Sequence, residues 1–354
     1  MRVLVLGGTG AIGSNLVKIL SDNKVETVVT SRFFHNSNQT ITYVCGNAKD
    51  NYFLSKLCSN EWDAIVDFMS YKTEEFSNRL DLLLSSTKQY VFISSSRVYA
   101  DKEHPIKENS PRLLDVSEDA AYLATDEYAL TKARQENLLM GSPSCNYTIV
   151  RPYITYDKYR LQLGVMEKEE WLFRALQGHS VIFPSEMLDK QTTMTHGYDV
   201  ALGIFELIGK KNAIGEAFHI TANCSSTWSD IIEIYKEAFK EATGKELRIH
   251  IVPLNDFLKC RADNLVYQVK YDRLFNRKFD ITKESTVCTI SQFRALDTCL
   301  KKCLMDFIKD GSNFKNINIR YEAIKDKLTR ERLCFTAPIS IRQKIDYLLY
   351  RYIL

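Results

Sequence analysis

The chain has 354 residues, 45% of them hydrophobic and 26% charged, with a formal net charge of +3. That is apolar material for one large or two ordinary domains, and too little net charge to argue for nucleic acid. No uninterrupted apolar run is long enough to cross a bilayer and no basic leader precedes an apolar segment, so a cytoplasmic protein without a transmembrane segment is expected.

In chain order, Arg2-Val3-Leu4-Val5-Leu6 reads as a buried strand that runs directly into Gly7-Gly8-Thr9-Gly10-Ala11-Ile12-Gly13. Ile12, Leu16, Ile19 and Leu20 then recur at helical spacing, and Val25 to Thr30 is a second strand. A glycine turn between a strand and a helix lets backbone approach a pyrophosphate, whose charge sits on free helix N–H groups. The second strand ends in Thr30-Ser31-Arg32, where binders of NAD carry an acid for the ribose hydroxyls. A guanidinium fork with a serine beside it suits a 2′-phosphate, so NADP(H) is favoured here, with NAD as the second choice.

Ile41 to Val44, Ala64 to Phe68, Gln89 to Ser94 and Tyr147 to Val150 are further strands, separated by helix candidates at 50–59, 76–84 and 126–139. This alternation predicts an α/β fold, a doubly wound Rossmann-like parallel sheet with ligands at the carboxyl ends of its strands. Beyond Pro152 the rhythm loosens, as expected for a smaller mixed α/β substrate-binding domain. The predicted division is 1–165 for dinucleotide binding, 166–310 for substrate with a return near 193–209, and a basic extension over 311–354. Ile339, Ile341, Ile345, Leu348 and Leu349 in that extension predict an amphipathic helix that seals the core or a subunit surface, which leaves a homodimer open. Asp199 is read as the cap of a helix through Leu207. Nine cysteines without paired C-x-x-C spacing, and six histidines without ligand spacing, imply no disulfide scaffold and no metal.

Tyr128 and Lys132 stand four residues apart, which places both side chains on one face of the predicted helix. A phenol with a reference pKa near 10 is a poor acid/base at neutral pH, and an ammonium beside it stabilises the phenolate.

Together, the glycine turn, the Ser94-Ser95-Ser96 strand end and the Tyr-x-x-x-Lys pair resemble the extended short-chain dehydrogenase/reductase superfamily, in its nucleotide-sugar-modifying branch. The resemblance runs from Met1 to about Asp310 and is strongest in the first half. It implies that Gly7, Gly10 and Gly13, with Thr9, Ala11 and Ile12 between them, hold the dinucleotide. It also places Asn47 where an acid approaches the adenine and Met69 beside the diphosphate. Lys132 would anchor the nicotinamide ribose, and Tyr128 would transfer the proton. The hydroxyl partner falls at Ser95, or one residue later at Ser96. Arg151-Pro152 matches a strand-exit pair of the branch, Tyr153 would line the sugar pocket, and Arg174, His179 and His196 are candidate nucleotide or sugar contacts. Sugar dehydratases of the branch follow the catalytic hydroxyl with acids, and Ser96-Arg97 cannot do that work. The expectation is therefore an NADP(H)-dependent reductase of a keto group on a nucleotide-linked sugar. The alternatives are an epimerase that retains its dinucleotide and a non-catalytic dinucleotide- or RNA-binding protein of the same fold.

Overall fold

In β1 (Arg2–Leu6), Val3 and Val5 enter one hydrophobic cluster while Leu4 and Leu6 enter another. Alternate side chains of a strand point to opposite faces, so a continuous apolar run is what a strand covered on both sides requires. β1 pairs with β2 (Glu26–Ser31) and β4 (Ala64–Asp67), and β2 pairs with β3 (Ile41–Cys45). β4 then pairs with β5 (Tyr90–Ile93), β5 with β6 (Tyr147–Val150), and β6 with a seventh strand, Glu216–Phe218. Every one of these ladders is parallel, which gives the expected doubly wound sheet.

This computed structural model describes residues 1–288, 293–332 and 340–353. They form two compact units, the first made of Met1–Thr155, Thr193–Cys224 and Lys278–Arg294. In it, α1 (Gly13–Asp22) and the Gly197–Leu207 helix cover the Val3/Val5 face through Leu16, Ile19, Leu20, Val200 and Ile204. α2 (Asn51–Cys58) and α3 (Thr73–Ser85) cover the other face through Leu54, Phe76, Leu80 and Leu83. The cap of the Gly197–Leu207 helix differs from expectation: His196, not Asp199, accepts the Tyr198 amide. Asp199 is buried and instead accepts the Arg294 amide at 2.8 Å and pairs with the Arg294 guanidinium.

Tyr156–Thr192, Ser225–Arg277 and Ala295–Leu354 make up the second unit. Its long helix, Trp228–Thr243, opens on a reciprocal cap between Thr227 and Asp230 and ends at Gly244 with φ 69°. That helix packs along Leu296–Lys309, and Val181–Pro184 runs parallel to Ile249–Val252. Near the C-terminus there are two helices, Ile319–Thr329 and Ile341–Tyr352, joined through Ile319, Ala323 and Tyr347. Ile341, Ile345, Leu348 and Leu349 remain exposed, so the stripe expected to seal a core does not do so within this chain. Tyr347 lies on the opposite side of the helix and makes the contact instead. Ile339 is outside the described residues. Among the described residues no helix is long and apolar enough to cross a membrane.

Candidate active site

The carboxyl ends of β1 to β4 surround a cleft of about 360 Å³. Gly7, Thr9, Ser31, Arg32, Asn47 and Met69 line it, so six of the expected dinucleotide contacts converge on one hollow. Thr30, Ser70 and Lys49 line it as well, and of these Lys49 had no signal in the sequence. Gly7 holds φ 73°, a left-handed conformation that any Cβ would strain. A Cβ on Gly13 would lie 2.8 Å from the Gly8 backbone, so this glycine sets how closely α1 approaches the turn. At Gly10 a Cβ would meet no protein atom within 4 Å. α1 has no side-chain cap, which leaves its first-turn amides to the turn and to whatever enters there. A helix start without a side-chain cap, an open glycine and a cleft at the strand ends fit the pyrophosphate and adenosine of a dinucleotide.

Two contacts modify the expected adenosine side. The Ser31 hydroxyl is buried and accepts the Phe33 amide at 3.1 Å, while Arg32 is exposed at the cleft edge. The Asn47 side-chain oxygen accepts the Lys49 amide at 3.1 Å, which ties it into its own turn.

Tyr128 begins the Tyr128–Met140 helix and remains 41% exposed, while Lys132, one turn on, is 3% exposed. The Lys132 ammonium donates to the Ile93 carbonyl at 2.7 Å and lies 4.5 Å from the Phe92 ring centroid. Burial lowers its pKa to about 8, against the pull of Asp67 and Glu136, which favour the charged form. Burial also raises Asp67, although the Met69 amide and the Tyr90 hydroxyl, each at 2.8 Å, bind its carboxylate.

The three serines separate cleanly. Ser94 donates to Glu136 at 2.5 Å, and Ser96 is fully buried and donates to the Arg151 carbonyl at 2.7 Å. Ser95 caps the short turn Ser96–Val98 by accepting the Arg97 amide at 3.2 Å. Accepting that amide does not use the hydroxyl proton of Ser95. The residue after the three serines, Arg97, places its guanidinium 5.2 Å from the Tyr128 ring centroid and pairs with Glu127 at 2.5 Å. The pairing of Arg97 with Glu127, thirty positions on, has no sequence signature.

Tyr153 is buried, with its ring centroid 5.5 Å from that of Phe279. Arg174 and His179 belong to the second unit and are taken up by acids of the C-terminal segment. Arg174 is 1% exposed and reaches Asp326 at 2.7 Å, Glu331 at 3.0 Å and Glu322 at 3.1 Å. His179 lies 3.2 Å from Asp326, which also accepts the Tyr347 hydroxyl at 2.7 Å. Burial alone would raise the Asp326 carboxyl, but His179, Arg174 and Tyr347 outweigh it and hold it below its ordinary value. His179, Asp326 and Glu331 have the spacing of a cation site, and the cation bound to both carboxylates is Arg174.

The model of the NAD dependent epimerase/dehydratase family matches residues 3–220. The chain is 25% identical over 255 residues to the chloroplast stem-loop binding protein of 41 kDa b of Arabidopsis thaliana, across 67% of this chain and 63% of that one. It is 22% identical over 335 residues to a UDP-N-acetyl-alpha-D-glucosaminuronate decarboxylase of Bacillus cytotoxicus, across 86% and 97% of the two chains. UDP-glucuronic acid 4-epimerase from Bacillus cereus, solved in complex with NAD, shares the fold with a TM-score of 0.66 and 18% identity, over 89% and 99% of the chains. These findings overturn the expectation of NADP(H). That epimerase in its several complexes, and two further structures of the fold, are bound to NAD. The physical reason lies at Arg32, because an exposed guanidinium at a strand end is well solvated without a phosphate and selects nothing by itself.

Proposed function

The chain belongs to the NAD dependent epimerase/dehydratase family, and from that premise we propose that it is a nucleotide-sugar epimerase that keeps NAD bound through both halves of its reaction. The observation that carries this is the arrangement around Tyr128: an exposed phenol, a buried ammonium one turn away, and the Ser95 hydroxyl at the end of β5. The relatives favour epimerisation over the net reduction expected from sequence, since their names include epimerases that act on UDP-sugars.

NAD, when bound, supplies the acceptor that takes hydride from the sugar carbon and returns it. Gly7, Gly10, Gly13 and the first turn of α1 would hold its pyrophosphate with Met69 beside it, and Asn47 would stand at the adenine. Ser95 orients the sugar oxygen. In the oxidative half the Tyr128 phenolate accepts the hydroxyl proton as hydride leaves the same carbon. In the return half the phenol gives that proton back to the carbonyl oxygen. Lys132 favours the phenolate by its charge, and its burial excludes water from that side. For the product to be the epimer, the ketone would have to turn in the site between the two halves and present its other face to the dinucleotide.

Mass spectrometry of the purified protein tests retention, with bound NAD as the expected result. Isomerisation of a panel of UDP-hexoses and UDP-hexuronates without added dinucleotide tests the reaction. Tyr128→Phe should lower turnover by about 10²–10⁴-fold with little loss of NAD. Net reduction that consumes added dinucleotide, without isomerisation, would overturn the proposal.

A second reading has its own observation, the likeness to the stem-loop binding protein. Phe33 and Phe34 are 72% and 82% exposed next to Arg32, which gives stacking surface beside a cation. A salt-dependent shift of a stem-loop RNA, lost in Phe33→Ala/Phe34→Ala, would favour it over catalysis.

A further inference from the structure

We propose that Arg97 is a positioning residue for Tyr128, which it holds in place and to whose phenolate it adds a second, permanent cation. The inference rests on Tyr128 being the group that transfers the proton. Arg97 follows the Ser95 cap by two residues, so the turn that presents the serine hydroxyl also presents the guanidinium. The guanidinium carbon lies 5.2 Å from the Tyr128 ring centroid, and Nη2 lies 2.5 Å from Glu127 Oε1.

Glu127 is an anchor rather than a loose counter-ion. Its other oxygen accepts the Ala129 amide at 2.7 Å and the Tyr122 hydroxyl at 3.2 Å, and its side chain is only 8% exposed. As the cap of the Tyr128–Met140 helix, it is fixed to the element that carries Tyr128 and Lys132. Arg97 is thereby clamped to the start of that helix, against the tyrosine ring.

A cation over an aromatic face is attracted by the ring quadrupole, and an ionised phenol attracts it more strongly. The charged and titratable groups near Tyr128 include Arg97 from the turn after β5, and Glu127, Asp126 and Lys132 from its own segment. Asp126 faces away, towards Thr73 and Arg134. Glu127, paired with the guanidinium, offsets part of its field. Lys132 is faced in turn by Asp67 and Glu136, and its charge fades as pH passes about 8. A guanidinium keeps its charge throughout that range. Arg97 thus sustains the positive field where the buried lysine loses it.

The experiment is the pH dependence of isomerisation for wild type, Arg97→Gln, Arg97→Lys and Tyr128→Phe. Glutamine keeps a donor for Glu127 without the charge, so folding is preserved better than with an apolar residue, and thermal melting checks it. The expected result for Arg97→Gln is a fall in kcat of about tenfold with little change in KM, because the charge acts on a group that ionises during the reaction. The acid limb of the kcat profile should move up by about one pH unit. Arg97→Lys should return part of that shift. An unmoved acid limb in a folded Arg97→Gln, with Tyr128→Phe inactive, overturns the role of Arg97 and leaves the epimerase reading standing. An active Tyr128→Phe overturns the catalytic reading itself, and this inference with it.

Discussion

Glu136 accepts two hydrogen bonds from Arg151, from Nε to Oε1 and from Nη2 to Oε2, each 2.8 Å long. Both side chains are buried, and Ser94 and Arg112 add bonds of 2.5 and 3.1 Å to the same carboxylate. Glu136 is one turn beyond Lys132 and two beyond Tyr128, on the same helix face. The pair therefore fixes how that helix is rotated against the ends of β5 and β6, and with it where the phenol stands.

Removing one partner leaves the other charged and buried. Glu136→Ala should cost about 3–5 kcal/mol of stability, because the Arg151 charge is left without its carboxylate. Glu136→Gln retains the shape and some of the bonds and should cost about 1–3 kcal/mol. Urea unfolding at neutral pH measures both. A Glu136→Ala midpoint equal to wild type would mean that the helix is held by packing alone.

The glycine turn allows fold and ligand to be separated. Gly10→Ala meets no protein atom within 4 Å, so stability should stay within about 0.5 kcal/mol of wild type. The added methyl projects where a pyrophosphate would pass, and NAD affinity should fall about tenfold or more, roughly 1.4 kcal/mol. Gly13→Ala drives a methyl to 2.8 Å from the Gly8 backbone and should cost about 1–3 kcal/mol as overpacking. Calorimetric titration with NAD, beside thermal melts, checks the pair. Unchanged affinity in a folded Gly10→Ala would put the pyrophosphate elsewhere.

Arg174 was read from sequence as a nucleotide or sugar contact, and its surroundings predict a different phenotype. Arg174→Met leaves Glu322, Asp326 and Glu331 close together without their shared cation. The expected cost is about 3–5 kcal/mol, with faster proteolysis of the segment after residue 310. KM for the nucleotide sugar, measured on the folded fraction, should be unchanged. A large rise in KM at wild-type stability would restore Arg174 to the substrate site.

What the sequence disclosed and what it hid divide by range. The strand, turn and helix from Arg2 to Asp22 follow from contiguous residues, and the Tyr128/Lys132 face follows from a four-residue spacing. That Ser96 rather than Ser95 gives its hydroxyl proton to a backbone carbonyl could not be read from either, because the acceptor, Arg151, is 55 positions away. The acidic partners of Arg174 and His179 were hidden for the same reason, since they lie 147 to 157 residues on. The dinucleotide preference went wrong at Arg32 because residue type was legible there and solvent exposure was not. The outward stripe of the last helix has a like cause, as periodicity finds an apolar face without saying what lies opposite it.

The titration of Lys132 makes the last prediction. Its folded pKa is lowered to about 8 from an ordinary value of 10.5, with burial as the leading cause. Below pH 8 both folded and unfolded chains carry the proton, and the folded chain bears the full cost of burying the charge. Between about 8 and 10.5 the unfolded chain binds more protons at this site than the folded one, so the lysine's unfavourable contribution shrinks as pH rises. Lys132→Met removes the group, and subtracting the variant's stability from wild type cancels every other titration common to both. That difference should move in favour of wild type by about 2–3 kcal/mol between pH 7 and pH 10. At pH 7 the methionine variant should bind NAD more weakly and turn over more slowly, since it lacks both the ribose anchor and the charge that favours phenolate. Urea unfolding of the two proteins across that range is the measurement. A difference that stays flat would mean that the lysine's pKa is close to its ordinary value and that its charge is solvated in the folded protein.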